Sequence, residues 1–130
     1  MAEYKVLMEK AIQAREMSYS PYSHFKVGAA LLCKNGKIYT GCNIENSAYG
    51  PSNCAERTAI FKAVSEGERE FEAIAIVGGV NQLEMCYPCG VCRQVLFEFC
   101  KEDFEIVCGT DAEEYQVHTL GELLPNSFCL

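Results

Sequence analysis

The chain has 130 residues, of which 49% are hydrophobic, and a formal net charge of −7 at pH 7. A chain of this length forms one compact domain, so we expect a single domain over residues 1–130. The negative charge disfavours a nucleic-acid partner, whose binding rests on Lys and Arg contacts to phosphate. No stretch approaches the roughly 20 apolar residues that span a bilayer, so we expect no membrane segment.

Nine cysteines are spread along the chain. The N-terminal segment mixes charged residues such as Glu3 and Lys5 with spaced apolar ones, which is not typical of a signal peptide. An odd number of cysteines without such a signal indicates reduced thiols in a cytosol. We therefore expect a cytoplasmic protein in which some cysteines bind a metal and others pack in the core.

The first third of the chain predicts a helix followed by a hairpin. Apolar residues at helical spacing, beginning at Tyr4, predict a helix of about four turns that ends before Ser20-Pro21. A strand from His24 to Cys33 follows. Asn35-Gly36 separates it from a second strand, Lys37 to Asn43, and this dipeptide is a strong signal for an antiparallel hairpin, because both residues accept positive φ.

The remainder of the chain predicts two helices and three strands. Ser52 or Asn53 is expected to cap a helix from Cys54 to about Glu66. Pro88 suits the first turn of another helix, Cys89 to about Lys101. The three predicted strands are Ala73 to Val80, Phe104 to Cys108 and Tyr115 to His118.

The connection lengths predict how these strands pair. The connection that contains the second of these helices is long enough for a right-handed crossover, so the strands before and after it should be parallel. Only Gly109 to Glu114 separates the last two strands, which is too short for a crossover and predicts an antiparallel hairpin. We therefore expect an α/β fold with a mixed five-stranded sheet flanked by helices.

Two cysteine segments each open a predicted helix, namely Cys54-Ala55-Glu56 and Pro88-Cys89-Gly90-Val91-Cys92. Helix N-termini favour thiolate over thiol, because they present free N–H groups and positive potential. Thiolates from Cys54, Cys89 and Cys92 fill three corners of a zinc tetrahedron and leave the fourth to water, as a catalytic site requires. Glu56 is then placed to exchange protons with that water.

The charge of such a site needs compensation. Zinc with three thiolates has a net charge of −1 and acidifies water less than zinc with neutral ligands does. Arg57 and Arg93 follow the two ligand segments. We expect both to donate hydrogen bonds to the sulfurs and so withdraw electron density from them.

The same residues also have simpler interpretations. Cys-x-x-Cys alone is equally typical of a structural zinc site, and Glu56 could complete a capping box with Asn53. Cys86 forms a second Cys-x-x-Cys with Cys89, so that a fourth sulfur could close the metal site. We favour the open arrangement, because a closed site would leave Glu56 without a role.

A series of segments in fixed order carries a further indication. The segments are Phe25-Lys26-Val27-Gly28-Ala29-Ala30-Leu31, Gly41-Cys42-Asn43-Ile44-Glu45-Asn46, Cys54-Ala55-Glu56-Arg57-Thr58-Ala59, Pro88-Cys89-Gly90-Val91-Cys92-Arg93-Gln94 and Leu123-Leu124-Pro125-Asn126-Ser127-Phe128. Together they closely resemble the short, homotetrameric cytidine deaminases over nearly the whole chain. Zinc deaminases share a proton-transferring Glu and a Pro-Cys-x-x-Cys segment. Cys54 stands where most of that class has His, as in the three-cysteine nucleoside branch.

The resemblance implies a fold, a cofactor and a reaction. The fold is a three-layer αβα sandwich with a mixed five-stranded sheet, and the cofactor is one zinc ion per subunit. The reaction is the hydrolytic deamination of cytidine and deoxycytidine to uridine and deoxyuridine with release of ammonia, in pyrimidine salvage. Hydroxide held by the zinc attacks C4, while Glu56 protonates N3 and then the departing amine.

The resemblance also implies residues that bind the nucleoside. Asn43 and Glu45 match residues that hydrogen-bond the ribose hydroxyl. The backbone around Ala55 and the Glu56 carboxylate read the pyrimidine edge. Tyr49 lies in the same segment at the edge of the pocket.

Two aromatic residues complete this implied site. Phe25 matches a residue that lines the base pocket. Phe128 matches a C-terminal aromatic residue that packs on the base bound by a neighbouring subunit. The resemblance therefore implies a homotetramer with shared active sites.

Other functions share part of this pattern. A deaminase of a cytosine-containing antibiotic such as blasticidin S has similar zinc segments, but the Asn43-Ile44-Glu45-Asn46 run favours cytidine. A zinc-stabilised binding module would use the metal only to hold its fold together. A nucleotide substrate would need cationic side chains to bind its phosphate. The excess of acidic residues and the lack of an evident basic loop therefore disfavour a nucleotide substrate.

Overall fold

The computed structural model describes residues 4–130, and in that range it contains four helices and five strands. The helices are α1 (Lys5–Arg15), α2 (Ala55–Ser65), α3 (Gly90–Phe99) and α4 (Leu120–Leu123). The strands are β1 (Lys26–Cys33), β2 (Ile38–Cys42), β3 (Phe71–Gly79), β4 (Glu105–Gly109) and β5 (Tyr115–Thr119). None of the helices between residues 4 and 130 has the length and apolar character needed to cross a bilayer.

The strands form one mixed sheet in the order β2-β1-β3-β4-β5. β1 pairs antiparallel with β2 and with β3, β3 pairs parallel with β4, and β4 pairs antiparallel with β5. α3 lies in the connection between the two parallel strands. The predicted five-stranded sheet, its parallel pair and its last hairpin are all confirmed.

Helices cover both faces of the sheet. Side chains alternate between the faces along each strand, so a strand that is apolar throughout contributes to a core on each side. On one face, α1 packs Leu7 and Met8 against residues that include Ala30, Ala75 and Val107. On the other face, the core contains Leu31, Ile74 and Ile106 from the sheet, Ile60 from α2 and Leu96 from α3. The fold is therefore the predicted three-layer αβα sandwich.

Two glycines allow helices to lie directly on the sheet. A Cβ atom at Gly41 in β2 would lie 2.6 Å from the carbonyl oxygen of Ala55 and 2.6 Å from the nitrogen of Ala59, both in α2. A Cβ atom at Gly28 in β1 would lie 2.1 Å from the carbonyl oxygen of Ala11 in α1. A side chain at Gly41 would push away the helix end that carries Glu56.

The start of α2 differs from the prediction. Its N-cap is Cys54, whose side chain makes no capping hydrogen bond, and not Ser52 or Asn53. The backbone of Asn53 is tied to Ile44 by two hydrogen bonds of 2.9 Å each, and its side-chain amide donates to the Thr58 hydroxyl at 3.2 Å. Asn53 is therefore held in a β-bridge outside the helix.

The start of α3 differs as well. Pro88 does not lie in the first turn, because the helix begins at Gly90 after its N-cap Cys89. The Cys89 sulfur accepts a hydrogen bond from the backbone N–H of Cys92 at 3.4 Å, as the oxygen of a capping Ser or Asp does in other helices. The helix also ends at Phe99, two residues before the predicted end.

Three further elements differ in detail. α1 has 11 residues, about three turns instead of four, because the chain turns after Arg15 so that Tyr19 can bridge to Ile44. In the hairpin between β1 and β2, Gly36 has a φ of 92°, but Asn35 is not among the residues with positive φ. The short helix α4, which was not predicted, begins with a capping box between Thr119 and Glu122.

Candidate active site

Three cysteine sulfurs converge where the N-termini of α2 and α3 meet. The ligand atoms of Cys54, Cys89 and Cys92 all lie within 4.8 Å of one another, and the Cys54 and Cys89 sulfurs are 3.9 Å apart. Sulfurs on a zinc tetrahedron with bonds of about 2.3 Å lie about 3.8 Å apart. The cluster therefore matches zinc in spacing and in donor type, and it does not include Cys86.

The pKa values of two of these thiols, Cys54 and Cys92, are shifted in opposite directions. Hydrogen bonds from Cys92 and Arg57 lower the pKa of Cys54 to about 5. The hydrogen bond with Cys54 raises the pKa of the Cys92 thiol, and burial raises it further. The Cys54 and Cys92 thiolates disfavour each other's ionisation, so both ionise together only when a cation such as a metal ion replaces their protons.

The two arginines near the cluster have different partners. The Arg57 Nη2 atom donates to the Cys54 sulfur at 3.3 Å, as predicted. Arg93 does not contact a sulfur, and that expectation was wrong: its Nε donates to the Pro88 carbonyl and its Nη1 to the Leu123 carbonyl, each at 2.7 Å. Arg93 therefore joins the segment before α3 to the C-terminal end of α4.

Glu56 lies in the first turn of α2, beside the sulfurs. Its side chain is only 4% exposed. Burial raises the pKa of Glu56 to about 7, and the negative charge of Cys54 acts in the same direction. A carboxyl group with a pKa near neutrality can both release and accept a proton at physiological pH.

An open cavity of about 820 Å³ lies in front of the sulfurs and Glu56. It is lined by the segment after β2, the N-terminus of α2 and the segment before α3. Among the predicted site residues, its lining includes Asn43, Glu45, Tyr49, Cys54, Ala55, Glu56, Arg57 and Cys89. The structure therefore brings most of the predicted residues to one cavity, whose volume is ordinary for a small-molecule site.

Three aromatic residues differ in their relation to this cavity. Tyr49 lies at its rim and is 90% exposed. Phe25 is not part of the lining. Its ring packs close to Gly78, as does the sulfur of Cys86, and Cys86 does line the cavity. Phe128 is 66% exposed, and its carbonyl accepts a hydrogen bond from the Gln94 side chain at 2.8 Å.

Ser23 and Tyr87 are among the residues of the cavity wall that sequence reasoning missed. Ser23 contacts Glu45 through its backbone N–H and its hydroxyl. Tyr87 lies beside Pro88, and its hydroxyl donates to Gln116 at 3.1 Å. Ser23 lies two residues before Phe25, the first residue of the segments that carry the resemblance. This closeness in sequence is the signal that could have pointed to it.

The fold and the site together define an α/β protein with a three-sulfur metal centre, an open cavity and a buried carboxyl group, as in zinc-dependent hydrolases. Residues 1–109 match the family model described as the cytidine and deoxycytidylate deaminase zinc-binding region. The chain belongs to this family of zinc-dependent hydrolases. Its cluster of Cys54, Cys89 and Cys92 is compatible with one zinc ion.

Individual relatives support the same assignment. The chain is 51% identical over 124 residues to the cytidine deaminase of Halalkalibacterium halodurans, covering 95% of this chain and 92% of the relative. The crystal structure of cytidine deaminase from Burkholderia pseudomallei is similar with a TM-score of 0.86 and 49% identity, over 95% of this chain and 97% of that one. The blasticidin-S deaminase of Bacillus cereus is 31% identical over 107 residues, covering 78% of this chain and 76% of the relative.

Proposed function

We propose that this chain, as one domain over residues 1–130, deaminates cytidine and deoxycytidine to uridine and deoxyuridine with release of ammonia. The observation that carries the proposal is the three-sulfur cluster beside a buried Glu56 in an open cavity. The reaction consumes one water molecule and breaks the C4–N bond of the base. Its products suit a role in pyrimidine salvage.

Glu56 moves the protons in this reaction. Zinc held by Cys54, Cys89 and Cys92 would supply acidified water and stabilise negative charge on oxygen. Glu56 takes a proton from the water, delivers it to N3 of the base and then assists the departure of the amine. Its raised pKa supports both halves of this transfer, because the group is neither permanently charged nor permanently protonated at neutral pH.

Arg57 offsets the excess negative charge of three thiolates. Its hydrogen bond to the Cys54 sulfur withdraws electron density from that ligand. Among the described residues that line the cavity, Arg57 is the one Lys or Arg. Because this cation already contacts a sulfur, a phosphate group would find no free cation there, which favours a nucleoside over a nucleotide or a nucleic acid.

The remaining residues of the cavity hold the nucleoside. Asn43 and Glu45 bind the ribose hydroxyl, and the backbone around Ala55 reads the pyrimidine edge together with Glu56. Tyr49 covers the rim. Their shared position along the cavity supports these roles.

Aromatic residues extend the site to a neighbouring subunit in a cytoplasmic homotetramer. Phe128 lies outside its own chain's cavity with two-thirds of its surface exposed, which suits a side chain that packs on a base bound next door. Val91 at the cavity wall is 58% exposed, and such apolar surface beside an open site is typical of an interface. Phe25 supports the base pocket from beside Gly78, which Cys86 of the cavity wall also approaches.

A test of this assembly replaces Phe128 by alanine. We expect KM for cytidine to rise about fivefold, because the lost aromatic contact contributes about 1 kcal/mol, while zinc content stays unchanged. Steady-state kinetics and metal analysis measure both quantities. Wild-type KM in the variant would contradict a shared pocket.

Mixed subunits make this test sharper. Phe128→Ala subunits co-expressed with Glu56→Gln subunits should form hybrids in which the Glu56→Gln chain supplies its Phe128 to an active neighbour. A fraction of sites should then recover the wild-type KM. If the co-expressed mixture shows only the activities of the two separate variants, no aromatic residue is supplied by the neighbouring subunit.

The proposed reaction itself is tested with purified zinc-loaded protein. Cytidine should be converted to uridine with one ammonia released per turnover, and conversion should be far more efficient than that of blasticidin S. The opposite preference would favour the antibiotic deaminase. A protein that holds zinc but converts neither compound would be a zinc-stabilised binding module.

A further inference from the structure

A short segment before β1 holds both oxygens of the Glu45 carboxylate. Oε1 accepts hydrogen bonds from the backbone N–H of Tyr22 at 2.9 Å and of Ser23 at 3.1 Å. Oε2 accepts the hydroxyl of Ser23. An ionised carboxylate has about four acceptor positions, so these contacts leave one for a ligand.

The backbone at His24 helps to fix the Ser23 hydroxyl. His24 has a φ of 60°, a left-handed conformation that few residues other than glycine adopt. Its N–H donates to the Ser20 carbonyl at 3.0 Å, and the next N–H, of Phe25, donates to the Ser23 Oγ at 3.0 Å. The Ser23 hydroxyl therefore accepts from Phe25 and donates its proton to Glu45, because an ionised carboxylate can only accept.

The same contacts favour the charged form of Glu45. The hydroxyl of Ser23 lowers the pKa of Glu45 most, and the backbone N–H groups of Ser23 and Tyr22 and the nearby His24 lower it further. An ionised carboxylate only accepts hydrogen bonds, so its open position takes a donor such as a sugar hydroxyl. Ser23, Asn43 and Glu45 all line the cavity.

We propose that Ser23 is a positioning residue for sugar recognition, and that its hydroxyl orients the Glu45 carboxylate so that the open acceptor position faces the ribose. This inference rests on the proposed role of Glu45 in binding that sugar. Without the Ser23 hydroxyl, the two N–H bonds to Oε1 remain but Oε2 loses its contact inside the chain. The carboxylate then rotates, and the hydroxyl of the bound sugar loses a fixed partner.

The test compares two competitive inhibitors, uridine and 2′,3′-dideoxyuridine, of which only uridine carries the 2′ and 3′ hydroxyls of the sugar. Their inhibition constants are measured against cytidine for the wild type, Ser23→Ala, Ser23→Thr, Glu45→Gln and the double variant Ser23→Ala/Glu45→Gln. Ser23→Ala should raise the inhibition constant of uridine about tenfold, the usual effect of losing a hydrogen bond to a charged group. It should leave the inhibition constant of dideoxyuridine unchanged. Ser23→Thr should restore the preference, because it keeps the hydroxyl. Metal analysis should find the same zinc content in every variant.

The outcomes separate the two roles. Glu45→Gln should remove the preference for uridine over dideoxyuridine. The double variant should then bind both inhibitors about as Glu45→Gln does, because Ser23 acts through Glu45. If Glu45→Gln removes the preference and Ser23→Ala weakens both inhibitors equally or neither, Ser23 has no positioning role and Glu45 keeps its own. If Glu45→Gln leaves the preference intact, the proposed role of Glu45 is wrong, and the inference about Ser23 is wrong with it.

His24 provides an independent variant. Glycine adopts the left-handed conformation without strain, whereas a β-branched residue resists it. His24→Gly should therefore keep the preference for uridine, and His24→Val should reduce it as Ser23→Ala does. Equal behaviour of both His24 variants would contradict the dependence on this backbone conformation.

Discussion

Replacing Glu56 by glutamine should lower kcat/KM for cytidine by several powers of ten while the protein keeps its zinc and its fold. Glutamine preserves the shape of the side chain but cannot carry the proton, and proton transfer by a positioned group contributes roughly 10²–10⁴-fold to a rate. Burial already raises the pKa of Glu56, so a neutral side chain suits its surroundings. Steady-state kinetics, metal analysis and thermal unfolding measure the three quantities.

Glu66 provides the matched control for this substitution. It lies at the C-cap of the same helix and is exposed, so Glu66→Gln should leave kcat and KM unchanged. A Glu56→Gln variant that turns over cytidine at the wild-type rate would refute the proton-transfer role. Loss of zinc in that variant would mean that Glu56 has a structural role in the metal centre.

Replacing Cys89 by alanine should abolish turnover together with zinc binding. Cys89 supplies one of three ligands and is exposed, so the substitution removes a metal ligand without opening a hole in the core. Two sulfurs do not complete the donor set of a zinc site. Metal analysis after dialysis should find far less than one zinc per chain, and cytidine conversion should fall to background.

Cys86 distinguishes the open centre from a closed one. Its sulfur lines the cavity but is not part of the three-sulfur cluster. Cys86→Ala should therefore retain one zinc per chain. Zinc loss in Cys86→Ala equal to that in Cys89→Ala would identify Cys86 as a fourth ligand.

Much of the fold follows from local patterns. The sheet was predictable because connection lengths decide whether neighbouring strands run parallel or antiparallel, as for β3 with β4 and β4 with β5. Helix starts were less predictable. Cys54 and Cys89 occupy the N-cap positions, for which propensity favours Ser, Thr, Asp or Asn.

The candidate site shows the same division. The spacing of Cys54, Cys89 and Cys92 was sufficient to predict a cluster, because each ligand segment opens a helix. The contact of Arg57 with a sulfur was predictable, because Arg57 and Cys54 lie three residues apart at the start of α2. The partners of Arg93 were not predictable, because Arg93 donates to the carbonyls of Pro88 and Leu123 and not to a sulfur. Those partners depend on how α3 packs against α4, which no local pattern records.

X-ray absorption at the zinc K edge tests the metal centre most directly. The three-sulfur arrangement predicts three zinc–sulfur distances of about 2.3 Å and one oxygen or nitrogen neighbour at about 2.0 Å in the zinc-loaded protein. Addition of a nucleoside inhibitor should perturb the light-atom neighbour and leave the sulfurs in place. A spectrum fitted by four sulfurs would mean that no coordination position remains for water beside Glu56.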